Sequence, residues 1–456
     1  MRETSALAGL LVFAVTTAAA ADVGGWRGDG TGHFPVAEPP ADWEDAARVV
    51  WRTPTPGWSN ASPVVCGDRV FLCVEPDTLM AVDRATGTVL WQRSNAYADL
   101  VPEAQRAAVV ERSAEAERLQ RELRDANRQL RQARRQAGRE PDAAAQARLA
   151  ELEANEQRLR EQLAPFEDVR MPATHAVNGY SSPTPVSDGT LVYAFFGTGV
   201  AVAFDRDGNR RWARVIEKPT DAWGHSASPV LAAGRFIVHV RNVHALDAAT
   251  GEPAWTAPSR ARWGSSVVTE IEGQPVVITA NGEIIRARDG RVLASGLHGL
   301  DYNAPVVHDG VIYFIEHGGK AFRLPSRADG SERPQELWRT EPPRDRYYAS
   351  PVVHEGRIYA VHQRGVLSVI DAATGAVERT ESLGNLRRTV YPSISLAGPW
   401  LVLGAESGTV VILDPADNLR EVATARIDAF RSTPVFHGRR AYVRTQDALV
   451  CLERAP

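Results

Sequence analysis

The sequence predicts an all-β fold: an eight-bladed β-propeller of four-stranded antiparallel blades, closed by the N-terminal strand, with an α-helical hairpin (coiled-coil) insertion between blades 1 and 2. Three observations carry this. Apolar runs opened by Ser-Pro or a variant of it recur eight times, starting at 62, 182, 228, 265, 304, 350, 392 and 433. From Pro183 to Pro434 the spacing averages about 42 residues, which suits four short strands and their turns. The pentapeptide DAATG stands at 247–251 and 371–375, with DRATG at 83–87, each at the end of a further apolar run.

Each element of the unit has a sequence reason. The Ser-Pro run is the inner strand A, and a GD, DG, EG or AG pair turns it into strand B. Strand C, such as GVLSVID at 365–371, ends in the DxATG turn. There Asp83, Asp247 and Asp371 can accept amide hydrogens two residues on, and Gly87, Gly251 and Gly375 supply positive φ. Strand D follows, often with a tryptophan: Trp91, Trp212, Trp255 and Trp338. The eighth unit stops at CLERAP with no room for a strand D, whereas RVVWRTPTP around Trp51 is a strand D without a blade. Joining the two closes the ring and removes an exposed edge.

Between Arg93 and Ser182 the composition changes. VPEAQRAAVVERSAEAERLQRELRDANRQLRQARRQAGRE and its continuation to 163 lack aromatics and are rich in Ala, Glu, Arg and Gln, all strong helix formers. Leu119, Leu123 and Leu130, then Leu149, Leu152 and Leu163, mark a sparse apolar seam, broken at Gly138 and Pro141. The chain therefore divides into a signal peptide at 1–21, an N-terminal extension at 22–45 and the closing strand with blade 1 at 46–97. The helical hairpin follows at 98–170 and blades 2–8 at 171–456.

Residues 1–21 have the order of a secretory signal: Arg2, the apolar run Ala6 to Val15, and small residues at Ala18–Ala21, with cleavage expected near Ala20–Ala21. A periplasmic or secreted protein is expected. No cysteine follows the apolar run to carry a lipid, and no later stretch has the ~18 apolar residues of a membrane span. The net charge of −4 gives no basic field for nucleic acid. Cys66, Cys73 and Cys451 are an odd set for disulfides and read as buried small hydrophobes.

The strings AVDRATGTVLW at 81–91 and ALDAATGEPAW at 245–255 fit AxDxxTGxxxW. This resembles the tryptophan-docking motif of the quinoprotein, or PQQ-type, β-propellers, a group holding the PQQ-dependent alcohol dehydrogenases and BamB. WRGDGTG at 26–32 is similar to the WRGPxGxG-type opening of exported members of the group. Blade 2 (AFDRDGNRRW) is one residue shorter, and blade 6 has Arg379 where tryptophan is expected. The resemblance covers about 25–95 and 175–456. In the dehydrogenases it implies PQQ, a calcium ion, a catalytic Asp and a disulfide between adjacent cysteines. None of these maps onto a matching motif here, so no cofactor or metal is expected. The resemblance then implies a non-enzymatic BamB-like scaffold, with a quinoprotein-like or other propeller enzyme having an atypical axial site as the alternative.

A ligand or partner site is expected on the face of the D–A and B–C loops, because the opposite turns are uniform. Before strand A the units carry Tyr180, Trp263, Tyr302 and Tyr348, three residues ahead of the proline or its counterpart. His225, Arg262, Asp301 and Tyr347 precede them or their equivalents. With Trp58, Trp223, Tyr391 and Arg431 they would ring the central channel as a recognition surface. Arg241, Asn281, Glu316, His317, Arg364 and Glu406 join from B–C loops. The hairpin is itself a D–A connection and rises from this face, so an envelope protein or small ligand would meet both.

Overall fold

A computed structural model describes residues 22–45, 48–139, 141–260, 263–386 and 388–455. The segment read as a signal peptide and the candidate Arg262 lie outside the described residues.

The strands form eight antiparallel sheets arranged as blades. Blade 1 is built from Val64–Cys66, Arg69–Val74, Thr78–Asp83 and Val89–Arg93. Blades 2 to 7 repeat it over 186–215, 230–258, 267–294, 306–340, 352–382 and 395–426. Blade 8 takes three strands from 435–453 and its fourth, Val49–Pro54, from the other end of the chain. Val49 pairs with Leu452 and Pro54 with Ala448, so the two ends are tied in one sheet. Inner strands A of neighbouring blades touch one another around the axis.

The turns perform as their residues dictate. Asp83 Oδ1 accepts from the amides of Ala85 and Thr86 and from the Thr86 hydroxyl; Asp247 and Asp371 do the same. Each turn then seats the tryptophan of the preceding blade. Trp51, Trp91, Trp212, Trp255 and Trp338 donate Nε1–H to carbonyls of Arg84, Arg206, Ala248, Ala287 and Ala372. Their rings lie flat on Gly87, Gly208, Gly251, Gly290 and Gly375, where any Cβ would collide. Arg379 occupies the tryptophan position of blade 6 and reaches the next turn in a polar way, bonding Asn418 O and Oδ1.

The insertion is two helices, α1 (Glu103–Ala137) and α2 (Ala143–Leu163). Asp142 caps α2 by accepting the Ala145 amide. Ala116, Leu119 and Ala126 of α1 and Leu159 and Leu163 of α2 belong to the same core as Trp91 and Phe204, so the hairpin base is packed onto blades 1 and 2.

One element has no counterpart in the repeat pattern. Residues 23–34 cross the axis at the end where the A–B turns lie. Val23 pairs with Val65, Gly24 O accepts Ser187 N, and His33–Phe34 add a parallel strand to the inner edge of blade 7. Arg27 is fully buried there and donates to carbonyls of Thr31, Pro351 and Ile394 at 2.7–3.1 Å. The RGD tripeptide is thus a plug with its arginine inside. Gly28, Gly30 and Gly32 all have positive φ, which lets the segment turn within the channel.

Candidate functional site

The repeats also fix the residues facing the axis, with a shift in two blades. In blade 2 the Ser-Pro equivalent is Thr184-Pro185, not Ser182-Pro183: strand A begins at Val186, two residues past Thr184, as Val64 is two past Ser62. In blade 7 it is Ser393-Ile394 rather than the Pro392 start. With that register the innermost positions form a belt interrupted at one blade. The amide of Ser62 donates to Thr184 Oγ1, Thr184 to Ser228, and Ser228 to Ser265. Beyond a gap at Ala304, which has no hydroxyl, the Ala304 amide donates to Ser350. Ser350 then donates to Ser393, Ser393 to Thr433 and Thr433 back to Ser62. All seven bonds are 2.9–3.0 Å and join blade to blade.

Two residues earlier in each blade lies a second tier on the same side of the strand, because extended side chains alternate. Blades 4 to 7 place Trp263, Tyr302, Tyr348 and Tyr391 there; blades 8, 1, 2 and 3 place Arg431, Asn60, Ser182 and Ser226. The result is a cavity of about 290 Å³ with one aromatic wall and one polar wall. Trp263 and Tyr302 stack in parallel at 5.4 Å, Tyr302 meets Tyr348 edge-on at 4.9 Å, and Tyr348 leans on Tyr391 at 4.9 Å. The Arg431 guanidinium lies over Tyr391 at 5.5 Å and faces Glu406 at 3.4 Å. Trp26 of the plug joins the lining.

The mouth is crossed by the segment that returns from the hairpin. Val177 O accepts from Asn60 Nδ2 at 2.8 Å and Arg431 Nη1 at 3.2 Å, and Asn178 Nδ2 donates to Trp223 O at 2.9 Å. His175 stacks on Trp223 at 4.1 Å, leaving Trp223 52 % exposed at the rim. Hairpin and cavity are therefore mechanically joined through residues 171–180.

Of the candidates, Trp223, Trp263, Tyr302, Tyr348, Tyr391 and Arg431 line this cavity. The others do not. His225 and Tyr347 sit one residue off the second tier, so alternation turns them into the blades: His225 is 2 % exposed with Nε2 against Ala227 O, and Tyr347 donates to Pro343 O. Burial pushes the His225 imidazole down to about 4, against the smaller effect of that carbonyl, so it is neutral at pH 7. Asp301 has the same offset and contributes its backbone carbonyl to Trp263 N. Tyr180 loses its equivalence to Trp263 with the two-residue shift; it points under α1 and donates to Pro172 O. Trp58 lies above Asn60 outside the cavity, its carbonyl accepting the Glu75 amide.

Of the B–C residues, Glu316 acts behind the aromatic wall. Glu316 is 3 % exposed and accepts from the amides of Tyr302 (2.8 Å) and Asn303 (3.3 Å), while burial pushes its carboxyl up to about 7. Arg241 pairs with Glu217, Asn281 with Glu283 and Arg364 with Asp345. The serine belt and three polar members of the second tier, Asn60, Ser182 and Ser226, were missed in the sequence, although each stands two residues before a Ser or Thr of the belt and was readable once the register was right.

The donor set does not fit the calcium of the dehydrogenases. Calcium takes six to eight oxygens, carboxylates among them. None of the described residues lining the cavity is acidic, and no group of three His, Cys, Asp or Glu able to hold a metal occurs among the described residues. Cys66, Cys73 and Cys451 are buried and free, and none of them lines the cavity.

A family model described as outer membrane protein assembly factor BamB matches residues 42–139 and 197–421. No curated protein sequence matches the chain. Among solved structures, BamB from Moraxella catarrhalis is similar with a TM-score of 0.56 at 12% identity, over 89% of this chain and 97% of that one. A europium-containing methanol dehydrogenase has a TM-score of 0.55 at 12% identity, over 92% and 89%. At that identity both likenesses concern the fold.

Proposed function

The chain belongs to the BamB family of outer membrane protein assembly factors, and on that premise we propose that it is an exported, non-enzymatic scaffold that holds another envelope protein. The observation that carries this reading is the gathering of the helical insertion, the strap that returns from it and the aromatic half-ring on one face. Apart from the longer C–D connection of blade 5 at 324–334, the A–B and C–D turns are short and hydrogen-bonded to one another, as in Arg84 N to Asp68 O and Ala372 N to Gly356 O. The other face bears the hairpin, the strap of residues 171–180, exposed Trp223 and the aromatic half-ring. Aromatic and arginine side chains at a concave centre are the composition of binding hot spots. Among the described residues no helix is long and apolar enough to cross a membrane.

The dehydrogenase-like alternative asks for acidic metal ligands at the axis, which the lining residues do not offer. Co-purification from envelope extract tests the scaffold reading, comparing the wild type with Trp223→Ala and with a hairpin shortened by residues 135–152. The reading expects an envelope protein whose recovery falls several-fold in these variants at unchanged melting temperature. Equal recovery by all three contradicts it.

A further inference from the structure

The geometry points to a second, separate activity: the axial cavity is a binding site for one unit of a neutral sugar. The chemistry of its two walls is the reason. On one side, Trp263, Tyr302, Tyr348 and Tyr391 form a continuous π surface, on which the C–H faces of a pyranose can pack. The floor is a ring of seven hydroxyls. Each oxygen already accepts a backbone amide from the preceding blade, and no acceptor for its own O–H is found among the described residues. The floor therefore presents donors towards the axis.

A sugar hydroxyl oxygen can accept from the serine ring while the C–H faces of its ring lie on the aromatic wall. A simple carboxylate offers acceptors without those C–H faces.

Charge and size agree. No described lining residue is acidic, so the site offers nothing to a cation; Arg431 is engaged by Glu406, Tyr391 and Val177 O, and Arg346 donates to the Tyr348 hydroxyl at 3.3 Å, so an acidic ligand is the alternative the control must exclude. A volume of about 290 Å³ sits at the small end of ligand pockets, roughly 300–1,000 Å³, which suits a single ring rather than an oligosaccharide lying flat. Entry is at the rim beside Trp223.

Saturation-transfer NMR and tryptophan fluorescence on the full mature chain test this, with methyl glycosides of glucose, galactose and N-acetylglucosamine as probes and benzoate as the acidic control. The expected result is saturable binding of at least one glycoside, weakened about tenfold or more by Trp263→Ala. Tyr348→Ala gives the same reading should Trp263→Ala not fold. No saturable binding of any glycoside, or binding of benzoate alone, or glycoside binding that both variants leave unchanged, overturns the proposal. None of these outcomes depends on a protein partner, so the scaffold reading stands or falls separately.

Discussion

Glu316 shows how single residues set the site. Its carboxyl holds the backbone of Tyr302 and Asn303 in place from behind the aromatic wall. With a folded value of about 7 against an ordinary 4.5, its contribution to stability is complete below about pH 4.5 and is lost as pH rises through 7. Glu316→Gln cannot lose it. The variant's unfolding free energy relative to wild type should therefore climb between pH 5 and pH 8, by up to on the order of 3 kcal/mol, read by urea unfolding at each pH. A pH-independent difference contradicts the buried carboxyl. His225 and His239 work in the opposite sense: both are pushed down to about 4 by burial, so stability is complete above about pH 6.5 and falls on acidification. The docking tryptophans give a second expectation. A Cβ on Gly251 would lie 2.5 Å from Trp212 Cδ2 at a φ of +72°. Trp212→Ala should cost about 3–5 kcal/mol in urea unfolding, and Gly251→Ala should add much less on top of it than it costs alone; simple additivity would contradict docking. The docking residues were legible in the sequence because Trp and Gly recur with the turn. The cavity residues were half legible: Trp263, Tyr302, Tyr348 and Tyr391 stood out as aromatics, while Asn60, Ser182 and Ser226 looked like ordinary loop residues. His225 and Tyr347 were misplaced by a single residue, which on an extended strand means the other side.

Among the elements, the hairpin divides into two zones. Near the blades, Leu119, Leu159 and Leu163 share a core with Trp91 and Phe204. Further out, Leu130 and Leu152 are buried in the helix pair but outside that core. Its ion pairs, such as Arg134 with Glu153 at 2.8 Å, are exposed on both sides, and such pairs contribute little. Leu119→Ala should thus lower global stability by about 2–4 kcal/mol. Leu152→Ala should instead speed amide exchange over 130–155 with little effect on the blades, read by hydrogen–deuterium exchange. Equal effects of the two on global melting would contradict the division. Helix composition and the Gly138–Pro141 break made this element visible in the sequence. Its anchoring was hidden, because Tyr97, Val169 and Met171, which meet the helices, carry no repeat signal.

The whole molecule is held by two closures, and only one was readable. A strand D without a blade around Trp51 and an eighth unit lacking its strand D announced the mixed blade 8. The plug did not announce itself, since three glycines around a charged pair look like a surface turn. Arg27 is the test of that closure. Removing a buried guanidinium that serves carbonyls of Thr31, Pro351 and Ile394 should cost several kcal/mol, and Arg27→Lys should rescue little because it lacks the planar fork. Full stability of Arg27→Ala in thermal unfolding would contradict the plug. A ring closed at its ends and plugged from one side leaves the other face as the place for partners, and that is the central claim. Photo-crosslinking in intact cells tests it most directly, with the crosslinking residue placed at Trp223, at Arg131 on α1, or at Thr374 in a C–D turn. Adducts to an envelope protein from Trp223 and Arg131 but not from Thr374 are the predicted result; adducts from Thr374 alone, or none from any position, would contradict it.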